Sequence, residues 1–203
     1  MKTNTSISIS KGNSKMGSIQ SVSLPAVITC RECGCWKKCY ARKLERIRKS
    51  VREAYQRNLD VLRNKPDVYW KEVEDAISVS RFFRFHVSGD IPDSEYLERM
   101  VGVAERNSHC EILCFTKRYE FVNDFLKSGG EIPKNLHMIF SAWIGLEMVN
   151  PFSLPEAHVR FRNGFTTASE KAVECGGNCT ECARIDGGCW ALGKGEQVIF
   201  NEH

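Results

Sequence analysis

From residue 40 onward, apolar side chains recur as Tyr40, Leu44, Ile47, Val51, Ala54, Tyr55, Leu59 and Leu62, a helical period that leaves Arg and Lys on the other face. Pro66 ends that helix or sits just beyond it, and residues 68–79 read as a second helix. RFFRFHVS then has the look of a strand, closing on Gly89 and Asp90. Ser94 is placed to cap the helix SEYLERMVGVAER, whose Tyr96, Leu97, Met100, Val101 and Val103 make a buried face. EILCFT follows as a strand, YEFVNDFLKSG as a helix with Gly129 at its C-terminal cap, and LHMIFSAWIG as a third strand. VRFRNGFTT offers a fourth. Ahead of all these, Ile7, Ile9, Ile19, Val22 and Leu24 alternate with polar residues, as in a short strand or hairpin around KGNSK.

Strand, helix, strand, helix, strand over residues 81–145 is the pattern of parallel βαβ units. Chemistry in such sheets and barrels collects at the carboxyl ends of the strands. Those ends carry His86, Ser88, Gly89 and Asp90, then Thr116 and Lys117, then Ser141 and Trp143. His86 reads as a ligand or acid–base group or as a hydrogen-bonded turn residue, and Asp90 as a cofactor-facing acid or a helix cap. Lys117 reads as a partner for a carboxylate or phosphate or as a solvated lysine, and Trp143 and Trp190 as packing residues.

With 203 residues and 42% hydrophobic side chains, the chain suffices for one compact domain with a small appendage. No run approaches the roughly 18 apolar residues of a membrane span. The polar opening has no apolar core of a secretion signal, so a cytoplasmic protein is expected. The net charge of +4 hides a local excess: between residues 37 and 57, nine Lys and Arg face only Glu45 and Glu53, a balance of +7 that leaves the remainder near −3. Arg42, Lys43, Arg46, Arg48, Lys49 and Arg52 invite nucleic acid, or simply form the charged outer face of a packed helix. That face lacks the interleaved aromatics that single-strand binding favours.

Ten cysteines change the picture most. In a reducing cytosol they are thiols or metal ligands rather than a disulfide framework. Cys175, Cys179, Cys182 and Cys189 offer four thiolates in a fifteen-residue stretch whose glycines let the backbone wrap, and only a divalent metal or an iron–sulfur cluster would offset their mutual repulsion. Cys179 and Cys182 have the spacing of a zinc knuckle, while the longer gap to Cys189 suits iron–sulfur equally. Cys30, Cys33, Cys35 and Cys39 lie between a strand and the basic helix, supplying three ligands with one metal position open, or four that close the site. Cys110 and Cys114 read as buried small hydrophobes, and His203 as a further candidate ligand.

KGNSKMGSIQSVSLPAVITC with CYA beyond it, RFHVSGDIPDSEYLERM, CFTK, and a closing C-x2-C…CW with a terminal His203 resemble the gene product 88 family of phage proteins over nearly the whole chain. The resemblance implies Cys30, Cys35 and Cys39 as proximal ligands, with Cys33 an addition. More distantly, the chain is similar to radical S-adenosylmethionine enzymes. In these a cysteine loop after the first strand holds a 4Fe–4S cluster, and a Gly-Gly-Glu segment after the second binds the cofactor's amino group. Ser88, Gly89 and Asp90 have the same placement, and Thr116, Lys117 and Ser141 would continue the cofactor face. The cysteine loop departs from those enzymes, reading C-x2-C-x-C-x3-C where they have C-x3-C-x2-C. This likeness implies an α/β fold: a partial parallel (β/α) barrel of radical-SAM type over residues 1–165, with a cysteine-rich, cluster-binding tail over residues 166–203.

The leading expectation is therefore an iron–sulfur protein resembling a minimal radical SAM enzyme. It would carry one 4Fe–4S cluster in the proximal loop and a second in the tail, with S-adenosylmethionine at the first, an electron donor as partner, and no membrane. The alternative is a non-catalytic zinc or iron–sulfur metalloprotein that binds a protein partner, or nucleic acid through the basic helix 42–57.

Overall fold

The computed structural model describes residues 6–30 and 34–202. Cys33 and His203 lie outside the described residues. Seven strands form one open sheet in the order β1-β2-β3-β4-β5-β7-β6, with every ladder between them parallel. They are β1 Gln20–Val22, β2 Phe82–Phe85, β3 Glu111–Thr116, β4 Leu136–Ser141, β5 Glu156–Arg160, β6 Val173–Glu174 and β7 Gln197–Asn201. The helices are α1 Ala26–Thr29, α2 Tyr40–Ile47, α3 Lys49–Asn64, α4 Pro66–Ser78, α5 Ser94–Arg106, α6 Tyr119–Lys127 and α7 Cys179–Arg184. No helix among the described residues is long and apolar enough to cross a membrane.

Helices connect the first four strands, as the βαβ pattern predicts, and then the regularity stops. β4 reaches β5, and β5 reaches β6, through segments without a helix. The sheet does not close on itself, so the barrel expected from the sequence reduces to an open parallel sheet. The thiol-bearing tail contributes to it, because β7 inserts between β5 and β6.

Alternation along the strands sorts the core into two faces. Phe83 and Phe85, Ile112 and Cys114, and Met138 and Phe140 point into a cluster with Leu59 of α3, Tyr69, Trp70, Val73 and Ile77 of α4, Leu97 and Met100 of α5, and Val122 of α6. Leu113, Ile139, Ala157 and Val198 face the other way, onto Met16, Ala183 of α7 and Trp190, with the four tail cysteines packed around them. Cys110 and Cys114 are fully buried in the first cluster, as expected.

Several boundaries differ from the sequence reading for identifiable reasons. The long basic helix breaks at Arg48, whose ψ of 97° is extended. Its two halves have separate anchors: Glu45 accepts a hydrogen bond from the Ala26 N–H, and Asn58 donates to the carbonyls of Ser8 and Ser23. Pro66 sits just beyond α3, the second of the two readings, and opens α4 two residues earlier than expected, since a missing N–H costs nothing in a first turn. Asp93 caps α5 by accepting from the Tyr96 N–H at 2.8 Å, leaving Ser94 as the first helical residue. The strand expected at VRFRNGFTT is β5, which begins earlier, at Glu156, and stops at Arg160, where Phe161 to Gly164 turn back, with Gly164 at φ +84°.

Candidate functional site

β2 ends at Phe85, and residues 86–90 fold back on the segment that follows β1. His86 adopts φ +59° while its N–H donates to the Val22 carbonyl at 2.9 Å. Its buried Nε2 lies 3.0 Å from the Tyr96 hydroxyl, which in turn lies 2.7 Å from that of Tyr69. Burial, with the Arg84 charge nearby, pulls the imidazole down to about 3, so it is neutral at physiological pH. Ser88 donates its hydroxyl to Glu45 Oε1 at 2.7 Å. Gly89 sits at φ +83°, where a Cβ would stand 2.6 Å from the Leu24 carbonyl oxygen and 2.7 Å from Thr29 Oγ1; no other residue fits.

Asp90 is the centre of a clip across the strand ends. Its Oδ1 accepts from Thr116 Oγ1 at 2.6 Å and from the Ile91 N–H at 2.8 Å, and its Oδ2 accepts from the Lys117 N–H at 2.9 Å. Burial pushes its carboxyl up, against the pull of those three hydrogen bonds. Ser141 takes part through its carbonyl, which accepts from the Tyr119 hydroxyl. Of the six residues expected to face a cofactor, Ser88, Asp90 and Thr116 thus spend their side-chain groups on one another and on Glu45, and Gly89 is filled against by backbone.

The proximal thiols gather beside this clip. Cys30 caps the end of α1 and Cys39 precedes the first residue of α2. Burial lifts the Cys30 thiol to about 12, helped by Asp90, Cys39 and Glu45 and opposed by the Lys117 ammonium. A bare thiolate is unfavourable there. Cys35 lies on the 3-10 turn Gly34–Lys37 and is disulfide-bonded, so a ligand role for it requires reduction.

The distal thiols come together on the opposite face of the sheet. The Cys175 N–H donates to Ile199 of β7 at 2.9 Å, and the Cys179 N–H donates to the Lys15 carbonyl at 2.9 Å. Gly188 lies so close that a Cβ would be 2.8 Å from Cys182 Sγ. Trp190 packs edge-on against Phe82 at 5.1 Å and donates to the Cys179 carbonyl at 3.4 Å. Burial, then Cys175, Cys179 and Cys182, lift the Cys189 thiol to about 12, and Cys179 and Cys182 are raised in the same way.

Arg84 opposes that build-up. It projects from β2 on the tail side of the sheet, its guanidinium 4.8 Å from the Phe115 ring centroid, and its charge lowers the Cys179 thiol against the effect of burial. Its charge also favours ionisation of Cys189 and of Tyr40, the residue after Cys39. The Tyr40 hydroxyl meets the Val87 carbonyl, and the Val87 side chain packs in the tail cluster. One strand end therefore stands between the two cysteine groups. Neither Arg84 nor Glu45 stands out in the sequence as a functional residue. Glu45 is detectable as the i+4 neighbour of buried Ala41, and Arg84 as the polar position in FFRF.

Among the described residues, no three His, Cys, Asp or Glu side chains stand in an arrangement able to hold a metal ion. The donor set of the tail still fits a metal in kind: four mutually repelling thiols, a fixed cation and glycine-rich backbone. Closing on a metal would need these side chains to rearrange on a backbone that carries Gly176, Gly177, Gly187 and Gly188.

Among protein-family models, that of gene product 88 matches residues 1–144. No curated protein and no solved structure matches the chain. The matched stretch contains the proximal cysteines and the Asp90 clip and stops short of Cys175.

Proposed function

From the premise that the chain belongs to the gene product 88 family, we propose that it is a metal–thiolate protein, and in its concrete form an iron–sulfur protein. The observation carrying this reading is that Cys175, Cys179, Cys182 and Cys189 all pack, half-buried, against one core cluster on the tail face of the sheet, with Arg84 projecting from β2 on the same face. Four neutral thiols gain nothing there that alanine would not supply more simply. Four thiolates around a metal would be favoured by the Arg84 charge, which already opposes the rise of the Cys179 and Cys189 thiols.

Cys175, Cys179, Cys182 and Cys189 would hold the distal group. Cys30, Cys39 and Cys35, the last once its disulfide is reduced, would hold the proximal one, with Cys33 the remaining cysteine of that loop. An iron–sulfur group supplies one-electron transfer, whereas zinc would staple the fold. An electron donor is the partner the iron form requires. The S-adenosylmethionine form asks Ser88, Gly89, Asp90, Thr116, Lys117 and Ser141 to face a cofactor. The engagement of Ser88, Asp90 and Thr116 within the protein favours a structural clip, so the proposal rests on the thiols.

Protein prepared under strict exclusion of oxygen is expected to be brown and to contain iron and acid-labile sulfide. Zinc in their place would select the stapled form. Colourless protein containing neither iron, sulfide nor zinc would remove the reading altogether.

A further inference from the structure

We propose that the cleft between the proximal cysteine loop and the turn after β5 binds a nucleotide, either free or as one unit of a single strand. This does not depend on whether the thiols carry metal.

The cleft is shallow and open to solvent, with about 680 Å³ of accessible space, enough for one base to lie on its wall. Its apolar wall is made by Ile144, Phe161 and Phe165. Ile144 and Phe165 are 48% and 50% exposed, an unusual state for large apolar side chains that stand together. The Phe161 and Phe165 rings lie 6.3 Å apart, inclined by 39°, and Trp143 buttresses Phe161 edge-on at 5.3 Å. A planar ring can therefore lie on a firm aromatic surface.

The rest of the lining selects for charge. Lys38 and Arg162 face one carboxylate, Glu202. Lys38 pairs with it at 2.6 Å while its ammonium stands 5.3 Å from the Phe161 centroid, and the Arg162 N–H donates to it at 3.0 Å. The balance is positive beside the aromatic wall. A ligand with a flat ring and a negative group satisfies both halves, and a nucleotide has that composition.

A third feature extends the track. Gly34 is pressed against this wall, since a Cβ there would stand 2.8 Å from the Ile144 carbonyl oxygen and 3.1 Å from the Trp143 ring. Two residues on, Trp36 is 44% exposed and carries the Arg42 guanidinium 3.5 Å from its ring centroid. Arg42 belongs to the segment whose balance is +7. The aromatics that the basic helix itself lacks are thus supplied by the loops beside it. A strand seated in the cleft would lay its next phosphates along exposed Lys43, Arg46 and Lys49.

The test is fluorescence anisotropy with labelled dodecathymidylate on the full chain at low salt, competed with AMP and with a duplex of equal length. The strand should bind, and the duplex should bind at least tenfold more weakly. Phe165→Ala should weaken binding about tenfold, the value of one stacked base, and Ile144→Glu should abolish it. Both positions are exposed, so unchanged circular-dichroism melting will show the fold to be intact. Lys38→Met with Arg162→Met should flatten the salt dependence. Competition by AMP would identify the free nucleotide as a ligand, and its absence the strand alone. The proposal is overturned if neither ligand binds at millimolar concentration, if Phe165→Ala and Ile144→Glu bind as well as the parent, or if the duplex competes equally.

Discussion

A cation fixed on a strand beside four thiols alters what those thiols can hold, because a tetrathiolate centre carries net negative charge that the apolar cluster around it does not solvate. Arg84 is that cation, held over Phe115 with its Nε lacking a hydrogen-bond partner among the described residues. Arg84→Met keeps much of the side chain's apolar bulk and removes the charge. It should weaken metal retention by the tail at least tenfold, the scale of one charged hydrogen bond, and move the midpoint potential of an iron–sulfur group downward. Cobalt titration and potentiometry check the two effects, and parent-like values in both would dismiss the electrostatic role. Asp90 gives the opposite lesson at this scale. Its sequence context suggested a cofactor acid or a helix cap, and the neighbouring Asp93 does the capping. What Asp90 does depends on Thr116 and the Lys117 N–H, which come from the end of the next strand. A linear pattern contains the residue types without the meeting point.

Elements with a strong period were legible and short ones less so. β2, β3 and β4 and the helices between them follow from alternation and 3.6-residue spacing, because each has one face in the main core. β1 has only three residues, yet the alternation around KGNSK marked it, and Ser10 and Asn13 bridge antiparallel to Ser21 and Gly17 there; β6, with two residues, is too short for a period to show. β7 escaped for another reason: VIF at the chain's end becomes a strand only by joining β5 and β6, a long-range choice. The cysteine spacing likewise marked the tail as a site without revealing that it covers a sheet face. Trp190 is the pin of that cover, nearly buried against Phe82 and His137. Trp190→Ala should cost about 3–5 kcal/mol and release β6, α7 and β7 to hydrogen exchange before β2 to β4. Uniform loss of protection, or none, would show that the tail cluster is not a separate packing unit.

At the scale of the whole molecule, acid sensitivity follows from how the buried groups titrate together. His86 is held neutral at about 3, against about 6.5 in an unfolded chain. Between those values the unfolded chain binds the extra proton, so stability is complete above pH 6.5 and declines as pH falls. The limiting slope is about 1.4 kcal/mol per pH unit, which gives a loss of about 2 kcal/mol by pH 5. Asp90, raised by burial, acts in the other direction, since its folded form takes up a proton before its unfolded form does. Glu74 and Glu202 are held down, by Arg106 and by Lys38 respectively, so their contributions disappear only at lower pH, as those carboxylates protonate. Over pH 7 to 5 the curve should therefore be dominated by His86. His86→Asn preserves tolerance of a positive φ and removes the titration. Urea midpoints of the variant should vary less with pH than those of the parent, even though its stability at pH 7 is lower for want of the Tyr96 contact. If the parent and the variant lose stability in parallel from pH 7 to 5, the neutral buried imidazole is not what makes the fold acid-sensitive.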